Sequence, residues 1–471
     1  MCGRARQRCN RQRPAASAHV CPRIRRREMM TTSTWSASGA AAFAACVAAA
    51  ATPAFAAAPA DWAAIPVQTV TLFYPGQVDY GWLRSAEHKR ANAKVREGEA
   101  CLSCHEGEEA ELGATLVKGG RHEPVPIAGK LGAIALQVQA AHDDANLYLR
   151  FQWKTQMARA GQMHDYMMYD GEKWAFIGGP RSKEAVRSGA QPPLYEDRLS
   201  VMIDDGKVPM FANQGCWLTC HTGMRDMPGE PTKEQVQAHP LIGQTHKESD
   251  VRKYLPATRT DEAASWDKTR TPEEIARLKE AGAFVELMQW RGHRSNPVGM
   301  ADDGYVLDYR LVDAGKGPFG WNVDRKTMTP KFMFDPAKVG VKALALADVG
   351  NASKPHALIR EDNAVAYDPA AGWKKGDVLP GRLLSRADAS GSAADNADVR
   401  GEWADGQWTV LWTRKLDTGH ADDDKALKPG GVVNVGFAVH DDNVTTRFHH
   451  VSFPLTLGIG TKATISSVAL E

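Results

Sequence analysis

Two short pairs of cysteines in the chain are each followed directly by a histidine. The two sets are Cys101, Cys104 and His105, and Cys216, Cys220 and His221. The first pair encloses two residues, which is the attachment pattern of c-type haem, and the second encloses three. In this chemistry two thiols add to the vinyl groups of one porphyrin, and the histidine ligates the iron. We therefore predict two covalently bound haem c groups, the second on a variant pattern with a longer spacer.

Disulfides and structural zinc sites are the other common uses of paired cysteines. A disulfide framework gives no reason for a histidine directly after each pair. A structural zinc site needs a closed tetrahedral set of ligands and usually belongs to a small or cytosolic module. The haem interpretation accounts for both histidines, so we favour it over these two alternatives.

The first 56 residues have the layout of a secretory signal peptide. Arginines at positions 23–27 lead into an uncharged, alanine-rich stretch, and residues 54–56 (Ala-Phe-Ala) supply the small-x-small pattern of a cleavage site. The arginine-rich part before Met29 is long for a signal, so we favour a start at Met29 or Met30. The apolar part is too short and too weakly hydrophobic for a membrane span. We predict export to the periplasm of a Gram-negative type of cell, with no stable membrane span after cleavage.

Removal of this leader changes the composition of the chain. It takes away nine arginines, one glutamate and the other four of the eight cysteines, so the formal net charge falls from +2 to −6. A mildly acidic mature protein argues against a nucleic-acid partner. The 43% hydrophobic and 24% charged residues are typical of a globular protein.

Alternating apolar and polar residues predict a mainly β fold beyond residue 126. Residues 133–140 and 147–153 flank a His-Asp-Asp-Ala-Asn turn and predict a β-hairpin. Five further strands are predicted at 197–204, 305–312, 407–415, 432–440 and 448–457. Their number and spacing favour an antiparallel β-sandwich over residues 127–460.

Three segments depart from this β pattern. Residues 57–126, with a predicted helix at 85–98, are expected to form a small N-terminal haem c module. Residues 206–299 are predicted to be a helical and loop insertion that wraps haem. Its helix at 271–282 starts with a capping threonine and a proline at the first position. Residues 385–399, rich in Ser, Ala, Asp and Gly, are predicted to be a solvent-exposed loop.

Four stretches of the sequence resemble a known haem-binding family. They are YEDRLSVMIDD at 195–205, GCWLTCH at 215–221, WRGHRSNP at 290–297 and FAVHDD at 437–442. Over roughly residues 125–458 the chain resembles the cytochrome c-552/ethylbenzene dehydrogenase-related haem-binding family. The resemblance implies a β-sandwich haem domain related to the haem b-binding γ subunits of exported, dimethyl sulfoxide reductase-like molybdenum enzymes. Those subunits pass electrons and do not perform the substrate chemistry.

The chain departs from those γ subunits at its second cysteine pair. Thiol attachment at Cys216 and Cys220 means that the methionine and lysine axial ligands of the γ subunits are not transferred to it. The chain is more similar to the c-type branch of the family, which often carries an additional N-terminal haem module.

The sixth ligand of each iron sets its potential and reactivity. His105 and His221 are the proximal ligands by motif. We favour His88 as sixth ligand of the first haem, because it precedes the motif by a short helical distance; a solvated surface histidine is the alternative. We favour His293 for the second haem, with a structural histidine in a buried arginine network as the alternative.

Other side chains near the motifs have lesser predicted roles. Arg291 and Arg294, beside His293, are candidate partners of the haem propionates. Met224 and Met227 rank below His293 as ligands because they follow His221 too closely to reach the opposite face of the ring. The remaining histidines in or beside predicted strands are expected to be hydrogen-bonded sheet or turn residues: His142, His440, His449 and His450.

Electron transfer between respiratory partners in the periplasm is the function that two haems in one exported chain favour. A non-catalytic subunit that docks on a molybdenum oxidoreductase or a membrane cytochrome b is a related alternative. The other alternative is a haem-based reductase or peroxidase, which needs an open iron position flanked by acid or base groups. The sequence indicates no such pocket, so we predict an electron-transfer protein and not an enzyme.

Overall fold

The alternating stretches form the strands of one large, mainly antiparallel sheet in the computed structural model. In the part of the chain that the structure describes, this sheet has fourteen strands, numbered here along the chain: β1 Gln68–Phe73, β2 Ala133–His142, β3 Asn146–Lys154, β4 Arg198–Asp204, β5 Val285–Arg291, β6 Gly304–Val306, β7 Arg310–Val312, β8 Val399–Ala404, β9 Gln407–Lys415, β10 Val432–His440, β11 His450–Val451, β12 Leu455–Gly458, β13 Ile465–Ser466 and β14 Val468–Ala469. The mainly β fold predicted from the sequence is confirmed.

The structure describes residue 59 and residues 61–155, 163–312, 315–350 and 354–470. The predicted signal peptide at 1–56 lies outside these residues. No helix among the described residues has the length and apolar character needed to cross a bilayer.

The strand order is β8-β9-β3-β2-β1-β11-β10-β4-β5-β6-β7. The predicted hairpin is present as β2 and β3, which pair in antiparallel register from Gln137 and Gln152 to His142 and Leu147. β9 continues this ladder on the other side of β3, with nine paired residues. β12 pairs with β10 on one side and with β13 on the other, and β14 pairs in parallel with β2.

Two of the predicted strands are each divided in two. The segment 305–312 turns at Leu307–Tyr309 and forms β6 and β7 as a small hairpin. The segment 448–457 is interrupted between β11 and β12, where Pro454 has no N–H group to contribute to a ladder. Local alternation predicts extended backbone, but it does not locate these turns.

The sheet folds over on itself, which produces the sandwich-like arrangement. Trp290 on β5 packs against Trp408 on β9 with ring centroids 4.7 Å apart, although β5 and β9 are not neighbours in the strand order. Phe151 on β3 contacts Phe437 on β10 in the same way, at 5.6 Å. Gly401 on β8 permits the close approach, because a Cβ atom there would lie 2.3 Å from Trp290 Cζ2.

Replacing Trp408 with alanine tests this core. Trp408 is fully buried and its indole N–H donates to Asp197 Oδ2 at 2.8 Å, so the change leaves a cavity and removes a hydrogen bond. We expect a loss of about 3–5 kcal/mol in the free energy of unfolding, measured by urea titration. Leu411→Ala on the same strand is the matched control, because Leu411 is 37% exposed. A Trp408 variant as stable as the Leu411 variant would contradict this account of the core.

The N-terminal segment is joined to the sheet. β1 lies between β2 and β11, and Phe73 pairs with Val451. Residues 61–470 belong to one compact unit. Residues 57–126, predicted as a small separate module, therefore contribute a strand to the sheet of the predicted sandwich domain.

The segment 206–299, predicted as an insertion, contains both irregular structure and a strand. Its predicted helix is present as Pro272–Glu280, with a capping box between Thr271 and Glu274. Its last part, however, is β5, which pairs with β4 along its length. The prediction of an insertion is wrong for this part: every residue of β5 is buried, so its sequence does not alternate between apolar and polar residues as a half-exposed strand does.

The other α-helices are short, and most lie near the two cysteine motifs. They are Tyr80–Leu83, Asn92–Glu97, Leu102–His105, Glu109–Leu116, Glu184–Arg187, Phe211–Gln214, Lys233–Ala238 and Pro336–Val339. A 3-10 helix at Gly215–Thr219 carries the start of the second motif. A smaller four-stranded sheet is formed by Tyr166–Tyr169, Trp174–Ile177, Leu344–Ala345 and Asp377–Pro380.

The loop at 385–399 differs from its prediction. Ser392 is fully buried and Asn396 is 2% exposed, so this segment is not a solvated loop throughout. Asn396 Oδ1 accepts a hydrogen bond from the indole of Trp412, and its amide donates to Asp303. Small and polar composition predicted exposure, but these side chains are buried because they hydrogen-bond inside the sandwich.

Candidate haem sites

The first cysteine motif lines a cavity of about 370 Å³. Cys101, Cys104 and His105 all face it, as does His88 from the preceding segment. The remaining wall is largely apolar and includes Phe73, Leu83, Leu112, Leu116, Trp217 and Phe453. An apolar cavity with two thiols and two imidazoles fits a covalently attached haem.

One helical turn positions the first motif. Leu102–His105 is helical, and the His105 N–H donates to the Cys101 carbonyl at 3.0 Å. Residues three and four apart share a helix face, so both thiols and the imidazole point the same way. The spacing of the motif therefore places both thiols and the imidazole on one face of the helix.

His105 is oriented by a carboxylate. Its Nδ1 lies 2.8 Å from Glu108 Oε2, which leaves Nε2 available towards the cavity. A metal-binding histidine usually donates its other ring N–H to a carboxylate or backbone carbonyl, which fixes the ring and its tautomer. Glu108, which the sequence analysis did not single out, therefore positions the predicted proximal ligand.

His88 faces His105 across the cavity with the same kind of support. Its Nδ1 lies 2.9 Å from the Leu83 carbonyl, so Nδ1 carries the proton and Nε2 is available. The two rings are nearly parallel, at 14°, with centroids 6.3 Å apart. Two imidazoles on opposite sides of one metal ion, each bonded at about 2.0 Å, would place their ring centroids about 6.4 Å apart. The spacing fits the predicted pair of ligands.

A break in the predicted helix at 85–98 places His88. The segment forms a 3-10 helix at Ala86–Ala91 and an α-helix at Asn92–Glu97, with a kink at His88 and Lys89. Lys89 has a φ of +46°, which a continuous helix does not contain. The prediction of one helix is therefore wrong, and the kink is what turns the His88 ring into the cavity.

His122 also lines the first cavity and was not singled out from the sequence. Its ring contacts Trp82 edge-on at 4.4 Å, and the same Trp82 lies 4.9 Å from the His88 ring. Burial, followed by the charge on Arg121, lowers the pKa of His122, which keeps the ring neutral. No spacing in the sequence connects residue 122 to the motif, so only the folded chain shows this second candidate.

The second pair, Cys216 and Cys220, lines a larger cavity of about 560 Å³ with a strongly basic wall. The guanidinium groups around it belong to Arg198, Arg225, Arg252, Arg291, Arg294, Arg310, Arg382 and Arg447. Among the described lining residues the only carboxylate is Asp165. The predicted propionate partners Arg291 and Arg294 are thus both in the wall that carries the thiols.

The arginines of this wall crowd one another. Arg294 pairs with buried Glu196 at 2.6 Å, and Arg291 pairs with Asp302. Burial, followed by the charge of Arg294, nevertheless lowers the pKa of Arg291 to about 10. Burial and the charge of Arg291 likewise lower the pKa of Arg310 to about 10. The positive charge of these arginines thus exceeds the negative charge of the carboxylates that line the cavity or pair with them. Such a wall suits an anionic group such as a pair of propionates.

His221 faces away from this cavity. It is buried, its Nε2 lies 2.9 Å from the Tyr254 carbonyl, and its ring stacks on Tyr254 at 4.0 Å. Its Nδ1 has no hydrogen-bond partner. The thiols and arginines of the second site therefore fit a haem, whereas His221 would have to turn from Tyr254 to reach an iron in this cavity.

His449 and His440 do line the second cavity. Their rings stack at 4.7 Å, and the Thr446 carbonyl is hydrogen-bonded to His449 Nδ1 and His440 Nε2. The Nε2 of His449 is thereby left available, as in His88 and His105. From their positions in the sequence, both are predicted to be sheet or turn histidines, because nothing there indicates that they converge on the thiols.

His293 is not among the residues that line the second cavity. It is fully buried, neither ring nitrogen has a hydrogen-bond partner, and its ring stacks on Tyr166 at 5.6 Å. Met224 and Met227 do line the cavity, and Met224 Sδ accepts a hydrogen bond from the His221 N–H at 3.1 Å. His293 as a ligand stays a prediction.

The alternatives to haem find little support in the arrangement of the thiols. All four described cysteines are free. Among the described residues, neither cysteine pair joins histidine and a further ligand in the compact group that zinc requires. Burial raises the pKa of Cys101 to about 11 and that of Cys216 to about 12, so both are protonated thiols in the free chain.

The two sites share a wall. Trp217 lies between the two cysteines of the second motif in sequence, yet it lines the first cavity. Its ring packs on Phe73 and Phe453, each at 5.5 Å. The Cys101 N–H donates to the Asn213 carbonyl at 3.0 Å, which ties the first motif to the helix that precedes the second.

Comparison with known proteins shows that this chain is similar to one protein family and to two proteins named as cytochromes. The family model described as ethylbenzene dehydrogenase matches residues 60–452. A protein named cytochrome c-552 from Stutzerimonas stutzeri is 28% identical over 416 residues, which are 88% of this chain and 92% of the relative. A protein named cytochrome c-551 from Rhodocyclus tenuis is 30% identical over 244 residues, which are 51% of this chain and 85% of the relative.

Proposed function

Because this chain belongs to the ethylbenzene dehydrogenase family, we propose that it is a periplasmic cytochrome that carries two haem c groups and transfers electrons between redox proteins. The names of its relatives support haem and electron transfer in general. The opposed rings of His88 and His105, 6.3 Å apart beside Cys101 and Cys104, are the observation that carries the proposal.

In the first site His88 and His105 would both hold the haem iron. Bound haem would supply a one-electron carrier there. Glu108 and the Leu83 carbonyl hold the protons on Nδ1 of His105 and His88, so both Nε2 atoms stay unprotonated for ligation. The apolar wall excludes water from the cavity. A site with no open position suits electron transfer better than catalysis on a bound substrate.

The second site is held next to the first by the fold. Gln214 Nε2 donates to the Val95 carbonyl at 2.9 Å, and Asn213 Nδ2 donates to the Gly98 carbonyl at 2.7 Å. These bonds fix the segment before Cys216 against the segment before Cys101. With Trp217 in the shared wall, two covalently held groups would be close neighbours, which suits a relay between a donor and an acceptor.

The partners in this proposal are redox proteins, with a membrane cytochrome b and a molybdenum oxidoreductase as the candidates. Affinity capture of the tagged protein from its native host, followed by mass spectrometry, identifies them. Recovery of a molybdenum enzyme supports the docking-subunit form of the proposal.

A haem-based reductase is the second candidate, favoured by one observation. The second cavity is large and basic, and His221 does not face it, which would suit a small anionic substrate at an open iron. The two candidates differ in whether an iron has a free position.

Carbon monoxide distinguishes these two functions. Because CO binds reduced haem iron only at an open or weakly held position, we expect it to leave the absorption spectrum of the reduced wild-type protein unchanged. The measurement is the Soret band of the dithionite-reduced holoprotein with and without CO. A shifted band in the wild type would contradict the electron-transfer proposal and support the reductase.

A further inference from the structure

Three buried carboxylates from distant parts of the chain meet inside the sandwich. Glu286 is on β5, Asp303 directly precedes β6, and Asp424 belongs to the loop between β9 and β10. One ligand oxygen of each lies within 4.8 Å of the other two, and the three residues are 0–4% exposed. Neither haem cavity includes any of them.

Asp424 distinguishes this cluster from an ordinary ion-pair network. It is 3% exposed, and neither of its carboxylate oxygens has a hydrogen-bond partner in normal geometry; the Thr418 side chain lies close to it but outside that geometry. A buried carboxylate left without donors costs several kcal/mol unless a proton or a cation compensates it.

Two cationic side chains, those of Arg414 and Lys425, lie beside the three carboxylates. Arg414 donates to both oxygens of Glu286, at 2.9 and 2.8 Å, and is the guanidinium of the cluster. The Lys425 ammonium is directed elsewhere, to Asp205 and the Gly282 carbonyl, both at 2.7 Å. The guanidinium is engaged by Glu286 and the ammonium is directed away, so neither of these two cationic groups donates to Asp424.

We propose that Glu286, Asp303 and Asp424 bind a divalent cation, and that Ca²⁺ is its best chemical match. Every candidate ligand atom is an oxygen, and oxygen-only sites favour hard cations. Ca²⁺ binds oxygen at about 2.3–2.6 Å, so its ligand oxygens lie no more than about 5 Å apart, and three oxygens within 4.8 Å of one another satisfy that limit. Bound at this position, the ion would join β5, the start of β6 and the 416–431 loop.

The oxygens already engaged in hydrogen bonds keep capacity for an ion. Asp303 accepts from the Gly304 N–H at 2.9 Å and from the Asn396 amide, and a carboxylate offers about four lone-pair sites. Glu286 accepts three hydrogen bonds, from Arg414 and from the Lys425 N–H. Asp424 remains the ligand with the most free capacity, so its replacement is the sharpest test.

The test uses the full-length holoprotein, dialysed first against EGTA and then against about 1 mM Ca²⁺, the upper range for extracellular sites. We expect elemental analysis to find about one tightly held Ca²⁺ per chain and Tm to rise by several degrees over the EGTA sample. Asp424→Asn should hold no Ca²⁺ and show no Tm response. In EGTA its Tm should equal or exceed that of the wild type, because the uncompensated charge is gone.

Asp422→Asn is the matched control in the same loop. The Asp422 side chain is 68% exposed, so this variant should bind and respond to Ca²⁺ like the wild type. A wild-type protein without bound Ca²⁺ and with a Tm that Ca²⁺ does not change would overturn the proposal, as would Ca²⁺ binding by Asp424→Asn. An equal response to Mg²⁺ would overturn the assignment to Ca²⁺. The wild-type measurement decides the matter even if the variant fails to fold.

Discussion

Replacing both Cys216 and Cys220 with alanine is expected to halve the covalent haem content, from about two haems per chain to about one. The two thiols line one cavity and Cys101 and Cys104 line another, so each pair serves its own porphyrin. The haem content is measured by the pyridine haemochrome assay. The intact mass of the denatured polypeptide gives an independent count, since covalent haem stays attached.

The reciprocal double variant, Cys101→Ala with Cys104→Ala, is the control and should also retain about one haem. An unchanged count after loss of Cys216 and Cys220 would remove the longer-spacer site from the interpretation. Loss of both haems in either variant would show that the two attachments depend on each other, contrary to the separate cavities.

Replacing His88 with alanine is expected to open the first iron to external ligands. In the proposed site His88 and His105 would both hold the iron, and removing His88 would leave one ligand position open. We expect the reduced variant to bind about one CO per chain, with a shifted Soret band, whereas the wild type binds none. Exogenous imidazole should compete with CO in the variant and restore the wild-type spectrum.

His122→Ala is the matched control, because His122 lines the same cavity and contacts the same Trp82 ring. It should leave the reduced spectrum unaffected by CO. CO binding by the His122 variant, together with none by the His88 variant, would assign the sixth position to His122 and refute the role given to His88.

Features encoded locally were predictable from the sequence. The hairpin β2–β3 and the strands β9 and β10 follow from alternation over seven to ten residues, and a capping threonine with a following proline marks the start of the helix at Pro272. The geometry of the first cysteine motif is local as well, because one helical turn carries both thiols and the histidine.

Features that depend on distant contacts were not predictable. Nothing in residues 68–73 indicates that they pair with a strand near residue 451, so the N-terminal segment was expected to be separate. β5 lacks alternation because every one of its residues is buried. The contact of His221 with the Tyr254 carbonyl and the convergence of His449 on the second pair of thiols arise only when distant segments pack together.

The position of β1 has a consequence for how the molecule assembles. Its partner on one side is β2, but its partner on the other is β11, where Phe73 pairs with Val451, a residue that is synthesised much later. A sheet that depends on such a long-range pairing forms slowly. The thiols at 101 and 104 would thus remain accessible on an open chain until the strand near residue 451 has been made and pairs with β1.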